Sequence, residues 1–311
     1  MVHSDSKFPL FAVFLSATLL IAGCANGPAA LPQVSQAQQS VPRQEAGGAP
    51  KAVAAPVWKD VPVAPLEADA GRLIPLQGAL NARSFAGLQG RHGLIPAGSF
   101  IRTADLSRLT PADRNLLAGQ GVTLDVDLRT AEELGDSPDL LADDARFRYV
   151  RISLLGEESI DIRKMPASLG ELYEHALDAN QVQFRQVFQT IAAQPDGTVL
   201  FHCTAGKDRT GMVSALLLSL AGVPEQDIVH NYAISAHYLK PMMESSQSGM
   251  SDKIKAHPNL AALMGTPPEA VEAFLAKLQD QYGGAEAYMR TIGLSDGEVQ
   301  ALLVRLGQAG R

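Results

Sequence analysis

An α/β fold is predicted, with a central mixed sheet flanked by helices and one loop carried between a buried strand and a buried helix. Three segments predict it. Residues 121–128, GVTLDVDL, alternate and carry β-branched side chains, the pattern of a strand. Residues 197–202, GTVLFH, are more continuously apolar, as expected of a strand covered on both faces. Residues 212–221, MVSALLLSLA, form a helix apolar nearly all round, stopped by Gly222 with Pro224 beyond, and such a helix belongs in the middle of a core. Two later helices have readable starts, Thr266 with Glu269 and Ser295 with Glu298, each pairing as a capping box before an apolar run. Strands mixed with long helices complete the α/β expectation.

The chain divides in three. Residues 8–22 are apolar apart from Pro9, Ser16 and Thr18, short of the roughly 20 residues a membrane span needs and suited to a signal segment. The segment ends Leu20-Ile21-Ala22-Gly23-Cys24, which resembles the bacterial lipobox, so residues 1–24 are expected to be a lipoprotein-type signal peptide and Cys24 the lipidated residue. No aspartate follows Cys24, and an exported, membrane-anchored protein facing the periplasm, at the outer membrane, is the expectation. Residues 25–70, rich in Ala, Pro and Gln, show no periodicity and read as a tether. Residues 71–311 are the expected folded domain, taken to be a monomer. With 46% hydrophobic and 19% charged residues the chain is an ordinary globular protein. A net charge of -7 without any basic run argues against a nucleic-acid partner. The only cysteines, Cys24 and Cys203, are placed for separate tasks rather than for a disulfide.

Chemistry concentrates in residues 202–211, HCTAGKDRTG. Set between a buried strand and a helix N-terminus, the backbone amides of residues 204–209 can turn inward as a nest for an anion, with the helix dipole adding positive potential. The same potential favours the thiolate of Cys203, a nucleophile. Arg209 can fork onto two oxygens of a phosphate, and Thr210 is placed to donate to the thiolate. Thr204, Ala205, Gly206 and Lys207 complete the cradle, with Lys207 either drawing a second phosphate or standing as a solvated loop lysine. A nucleotide P-loop is excluded, since Phe201 and Asp208 occupy two positions that its pattern assigns to other residues. The histidines do not sit at metal-ligand spacing; His230 and His237 lie seven apart and read as helix packing.

Cys203 and Arg209, with five residues between them, resemble the C-x5-R signature of the protein tyrosine phosphatase superfamily, and the longer string resembles its bacterial tyrosine and dual-specificity branch. Residues 93–104, the run Asp127-Leu128-Arg129-Thr130 with Glu132 or Glu133, and residues 288–295 resemble other elements of that branch, so the likeness spans about 78 to 306. It implies metal-free and cofactor-free hydrolysis of a phosphorylated protein through a phosphorylated Cys203 held by Arg209. Phosphotyrosine is the expected substrate. A phosphoinositide phosphatase and a catalytically silent phospho-binding module are the alternatives. The family's Trp-Pro-Asp acid loop is missing, because the only tryptophan, Trp58, lies in the tether. Asp208, within the loop, is the first candidate for the general acid because the resembling branch carries an aspartate there, with Asp127 and Asp161 behind it; Asp127 reads at least as readily as an ion-pair brace to an arginine such as Arg129 or Arg151. Residues 241–265, with four methionines, read as a mobile loop or as a lid over the site.

Overall fold

The two segments read as strands lie side by side and parallel at the centre of one sheet. The computed structural model describes residues 64–157, 166–244 and 265–309. In chain order the elements are α1 (Glu67–Ala70), β1 (Arg83–Ser84), β2 (Gln89–Gly90), β3 (Gly93–Leu94), β4 (Phe100–Thr103), α2 (Pro111–Gly119), β5 (Val122–Asp127), α3 (Ala131–Asp136) and β6 (Arg148–Arg151). They continue with α4 (Leu169–Ala179), α5 (Gln181–Ala192), β7 (Thr198–His202), α6 (Asp208–Leu220), α7 (Glu225–Ala233), α8 (Ser235–Tyr238), α9 (Pro268–Tyr282), α10 (Ala285–Thr291) and α11 (Asp296–Arg305). The main sheet has the order β1-β4-β7-β5-β6; β4, β7, β5 and β6 are mutually parallel and β1 is antiparallel at the edge. The sheet is mixed, as expected, and helices cover it on both sides.

Alternation along the strands explains the two layers. Phe100, Leu124, Val126, Val199 and Phe201 face a large core built with α4, α5, α6 and the C-terminal helices. Ile101, Val122 and Leu200 face a smaller one with Ile74, Leu106, Leu109, Leu117 and Phe147. Helix α6 lies inside the larger core, with every residue from Thr210 to Leu218 buried. It starts at Asp208, four residues before the apolar run that marks it in the sequence, so the loop hands directly onto its first turn. At the other end Gly222 takes φ 72 and ends the helix.

Of the expected caps, Ser295 and Glu298 form theirs around the start of α11. Thr266 does not cap α9: the helix starts at Pro268 with Pro267 at the N-cap and no side-chain cap. Pro268 brings a helical φ to the first turn and has no amide to satisfy, which moves the boundary past the threonine. Capping boxes unread in the sequence, Thr110 with Asp113 and Thr130 with Glu133, start α2 and α3. The folded part also begins before residue 71, since Asp69 of α1 accepts from Arg72 at 3.2 Å and contacts His230 Nε2 at 2.8 Å. His230 and His237 stand on separate helices, α7 and α8, rather than on one face. Among the described residues no helix is long and apolar enough to cross a membrane. Cys24, Asp161 and residues 245–264 of the proposed lid lie outside the described residues.

Candidate active site

Parallel strands bring functional groups together at their C-terminal ends, and here Thr103, His202 and Asp127 lie in line across β4, β7 and β5. Cys203 comes one residue after β7, free and only 2% exposed. The chain then folds tightly against β4. Gly206 takes φ 62, and a Cβ there would sit 2.3 Å from the carbonyl oxygen of Thr103, so only glycine permits this path. Among the described residues no backbone carbonyl accepts from the amides of Thr204, Ala205 or Gly206, and those of Asp208 and Arg209 open α6, where an α-helix offers no internal acceptor. Thiol, unpaired amides and helix N-terminus thus converge on one spot.

Arg209 is fixed by Glu133. Its Nη1 donates to Oε2 at 2.6 Å and its Nη2 to Oε1 at 2.7 Å, a two-pronged pair at the start of α3. The Thr204 hydroxyl donates to the same carboxylate, and the Thr130 amide donates to it at 3.0 Å. Burial pushes the Glu133 carboxyl up, but its hydrogen bonds with Arg209 and the guanidinium charge outweigh this and hold it at about 2. Among the described residues no protein group accepts from Arg209 Nε, which leaves that edge of the fork for an oxyanion. Sequence inspection left Glu132 and Glu133 undistinguished. The Thr130-x-x-Glu133 capping pattern is the signal that separates them, because it anchors Glu133 at the third helical position.

The remaining loop residues depart from their expected surroundings in part. Asp208 is partly exposed and accepts from the Tyr173 hydroxyl, which in turn contacts the Tyr232 hydroxyl at 2.9 Å. Lys207 is buried, not solvated: its ammonium donates to the Gly265 carbonyl at 2.6 Å and lies 3.5 Å from Asp208. Thr210 is a first-turn residue of α6 facing the core, and its buried hydroxyl makes no hydrogen bond, so the bond to the thiolate expected of it is not formed. The cleft of about 470 Å³ lined by Pro96, Ser99, Gln194 and Arg305 opens at the other end of β4 and β7, away from Cys203.

Behind the loop lies a buried charge network. Asp127 takes Arg129 through Nε and Nη2, at 2.9 and 2.8 Å, together with the Arg129 amide and the Tyr149 hydroxyl. It is fully buried, so it braces Arg129 and does not face a leaving group. His202 Nε2 lies 2.9 Å from Asp139 and 3.5 Å from Asp125. Asp125, Asp139 and His202 could by geometry surround a cation. The network already carries positive charge there, however: burial opposes the imidazolium, but the three aspartates push His202 up to about 10, and Arg129 approaches Asp139 at 3.6 Å. Burial and the neighbouring Asp139 push the Asp125 carboxyl well above its ordinary value of 3.8.

Two outcomes follow from this geometry. Glu133→Gln removes the partner of a largely buried guanidinium and should cost about 3 kcal/mol in a denaturant titration. Because the Asp125 carboxyl is raised in the folded state, its contribution to stability is full below its ordinary value of 3.8 and is lost as pH rises toward its folded value. Asp125→Asn removes that decline. The variant should melt higher than the parent at pH 7, with the gain vanishing near pH 3.5.

A family model described as the tyrosine phosphatase family matches residues 74–308. A tyrosine-protein phosphatase of Nostoc commune is 54% identical over 264 residues, covering 80% of this chain and 87% of that protein. The triple specificity protein phosphatase PtpB of Mycobacterium tuberculosis is 25% identical over 272 residues, covering 73% of this chain and 96% of that protein. The crystal structure of P. aeruginosa TpbA aligns over 53% of this chain and 89% of its own, with 15% identity and a TM-score of 0.30. With the family model spanning the sheet, the loop and the C-terminal helices, the chain belongs to the tyrosine phosphatase family and is an enzyme of that family.

Proposed function

We propose that this chain hydrolyses phosphotyrosine in proteins through a cysteinyl-phosphate intermediate. The observation that carries the reading is the alignment of Cys203, the unpaired loop amides and an Arg209 already clamped by Glu133. The Cys203 thiolate attacks phosphorus in line with the phenolic oxygen; the S–P bond forms as the P–O bond breaks, and Asp208 protonates the departing phenolate. The amides and the free edge of Arg209 hold the equatorial oxygens where charge develops. Water then attacks phosphorus, giving its proton to Asp208, and inorganic phosphate leaves with the thiolate restored.

Asp208 suits the acid role because it stands at the loop's exit and is partly exposed, whereas Asp127 is sealed around Arg129. A phosphoinositide preference would rest on Lys207, whose ammonium is directed to Gly265 and Asp208. Phosphotyrosine is therefore the primary reading, with phosphoserine and phosphoinositide as comparison substrates. The sequence of residues 1–24 further supports the proposal that a lipid on Cys24 anchors the domain through the 25–70 tether on the periplasmic side of the outer membrane.

Cys203→Ser should abolish turnover of phosphotyrosine peptide while phosphate-analogue binding persists; undiminished turnover would remove the mechanism, and binding without turnover in the parent would identify a silent phospho-binding module. Asp208→Asn should lower kcat about 10²- to 10⁴-fold for phosphotyrosine, whose leaving phenol has a pKa of about 10. With aryl phosphates of acidic phenols, which depart without a proton, the loss should shrink. Equal losses for both substrate classes would assign the acid to another residue.

A further inference from the structure

We infer that Asn81 is a positioning residue for the phosphate loop, an amide latch that turns the Ala205 and Gly206 carbonyls outward and thereby aims the following amides at the anion. The inference rests on the proposed function of the loop. Asn81 is the one non-glycine among the described residues with a positive φ, 61°. A left-handed backbone is strained for an L-residue, even for asparagine, which tolerates it better than most, and such strain persists where the surroundings over-determine it. Here they do. The Asn81 side chain, buried, donates through Nδ2 to the Ala205 carbonyl at 3.1 Å and to the Gly206 carbonyl at 2.9 Å.

The orientation of that amide is set by a second residue. Arg83 Nη1 donates both to the Asn81 backbone carbonyl at 2.8 Å and to Asn81 Oδ1, so the side-chain oxygen faces Arg83 and the nitrogen must face the loop. Arg83 is itself held by the Asn231 carbonyl and the Ser235 hydroxyl, at 2.6 and 3.0 Å. From the other side Arg102 Nη2 donates to the Gly206 carbonyl at 2.8 Å while its Nη1 reaches Asn231 Oδ1 at 2.8 Å. Two donors thus converge on the Gly206 oxygen and one on that of Ala205.

A trans peptide points its C=O and its N–H in opposite directions. The Ala205 carbonyl shares a plane with the Gly206 amide, and the Gly206 carbonyl with the Lys207 amide. Pulling both oxygens toward Asn81 and Arg102 drives both amides the other way, into the loop. A flip of either peptide would instead place a carbonyl oxygen against the thiolate and the phosphate. Arg83 and Arg102 donate to no carboxylate among the described residues; Asp69 acts on the first and Asp208 on the second only through space.

Two variants of the full chain test the latch. Asn81→Asp tolerates the left-handed backbone and pairs with Arg83, but sets an acceptor against two carbonyls. Asn81→Gly relieves the strain and deletes the donor. Both should keep a parent-like melting temperature while kcat for p-nitrophenyl phosphate falls, and vanadate inhibition weakens, by about 10- to 100-fold, the range typical of lost supporting groups. The ¹H–¹⁵N resonance of Gly206, single and sharp in the parent, should broaden or split in Asn81→Asp. Turnover and vanadate affinity within twofold of the parent in both variants would overturn the latch, as would unfolding of both, which would make Asn81 merely structural. A parent without turnover or vanadate binding would remove the proposed function instead, and an unchanged Gly206 resonance would then remove the latch by itself.

Discussion

A buried guanidinium needs acceptors for its donors, and the edge of this sheet that carries Cys203 is organised around that constraint at Arg209. Glu133 satisfies it with a two-pronged pair, and the pair draws three elements together: the start of α3, the phosphate loop and the start of α6. Glu133 is in reach because β5 and β7 run parallel and adjacent, ending level at Asp127 and His202. Thr130 then caps α3 and fixes the third helical position toward the loop. The carboxylate also gathers the Thr204 hydroxyl, so one side chain joins the residue after the nucleophile to the arginine that follows it. Such a pair stabilises little beyond what its desolvation costs, but it fixes direction, and direction is what a phosphate fork needs.

Electrostatics on the two sides of the loop differ in kind. Toward β5 opposite charges are paired: Arg129 and His202 stand against Asp127 and Asp139, and burial with the neighbouring Asp139 pushes the Asp125 carboxyl well above its ordinary value. Toward β1 and β4 no ion pair forms among the described residues: Arg83 and Arg102 donate there to amide, carbonyl and hydroxyl oxygens, and Asp69 and Asp208 act on them only through space. Burial pushes the Arg102 guanidinium down to about 10, still charged at neutral pH.

What could be read from the sequence was whatever is carried by contiguous residues. The strands at 122–127 and 198–202, the helix behind the loop and the cysteine–arginine spacing are all local patterns, and each stands where the sequence puts it. Groups supplied from a distance were not legible. Asn81 meets the loop across 124 residues, and nothing around NAR announces a left-handed backbone. Asp127 carried two readings because an aspartate two residues before an arginine serves equally well for bracing and for acid chemistry; its full burial separates them. Lys207 carried two readings, a second phosphate site and a solvated lysine, because its acceptor, Gly265, lies 58 residues on. Thr210 looked like a partner of the thiolate because helix α6 was expected to start later than it does.

The arginines without an ion-pair partner and the strained asparagine have a common logic. Burying guanidinium groups without carboxylates, and holding an L-residue at positive φ, both reduce stability. A fold optimised for stability alone would place an acid beside Arg102, as it does beside Arg129. An acid paired there would draw the guanidinium away from the Gly206 carbonyl that it holds. Under the proposed function, an oxyanion held by the loop amides and Arg209 is the species that supplies negative charge where the described residues set no carboxylate in hydrogen-bond reach of Arg102.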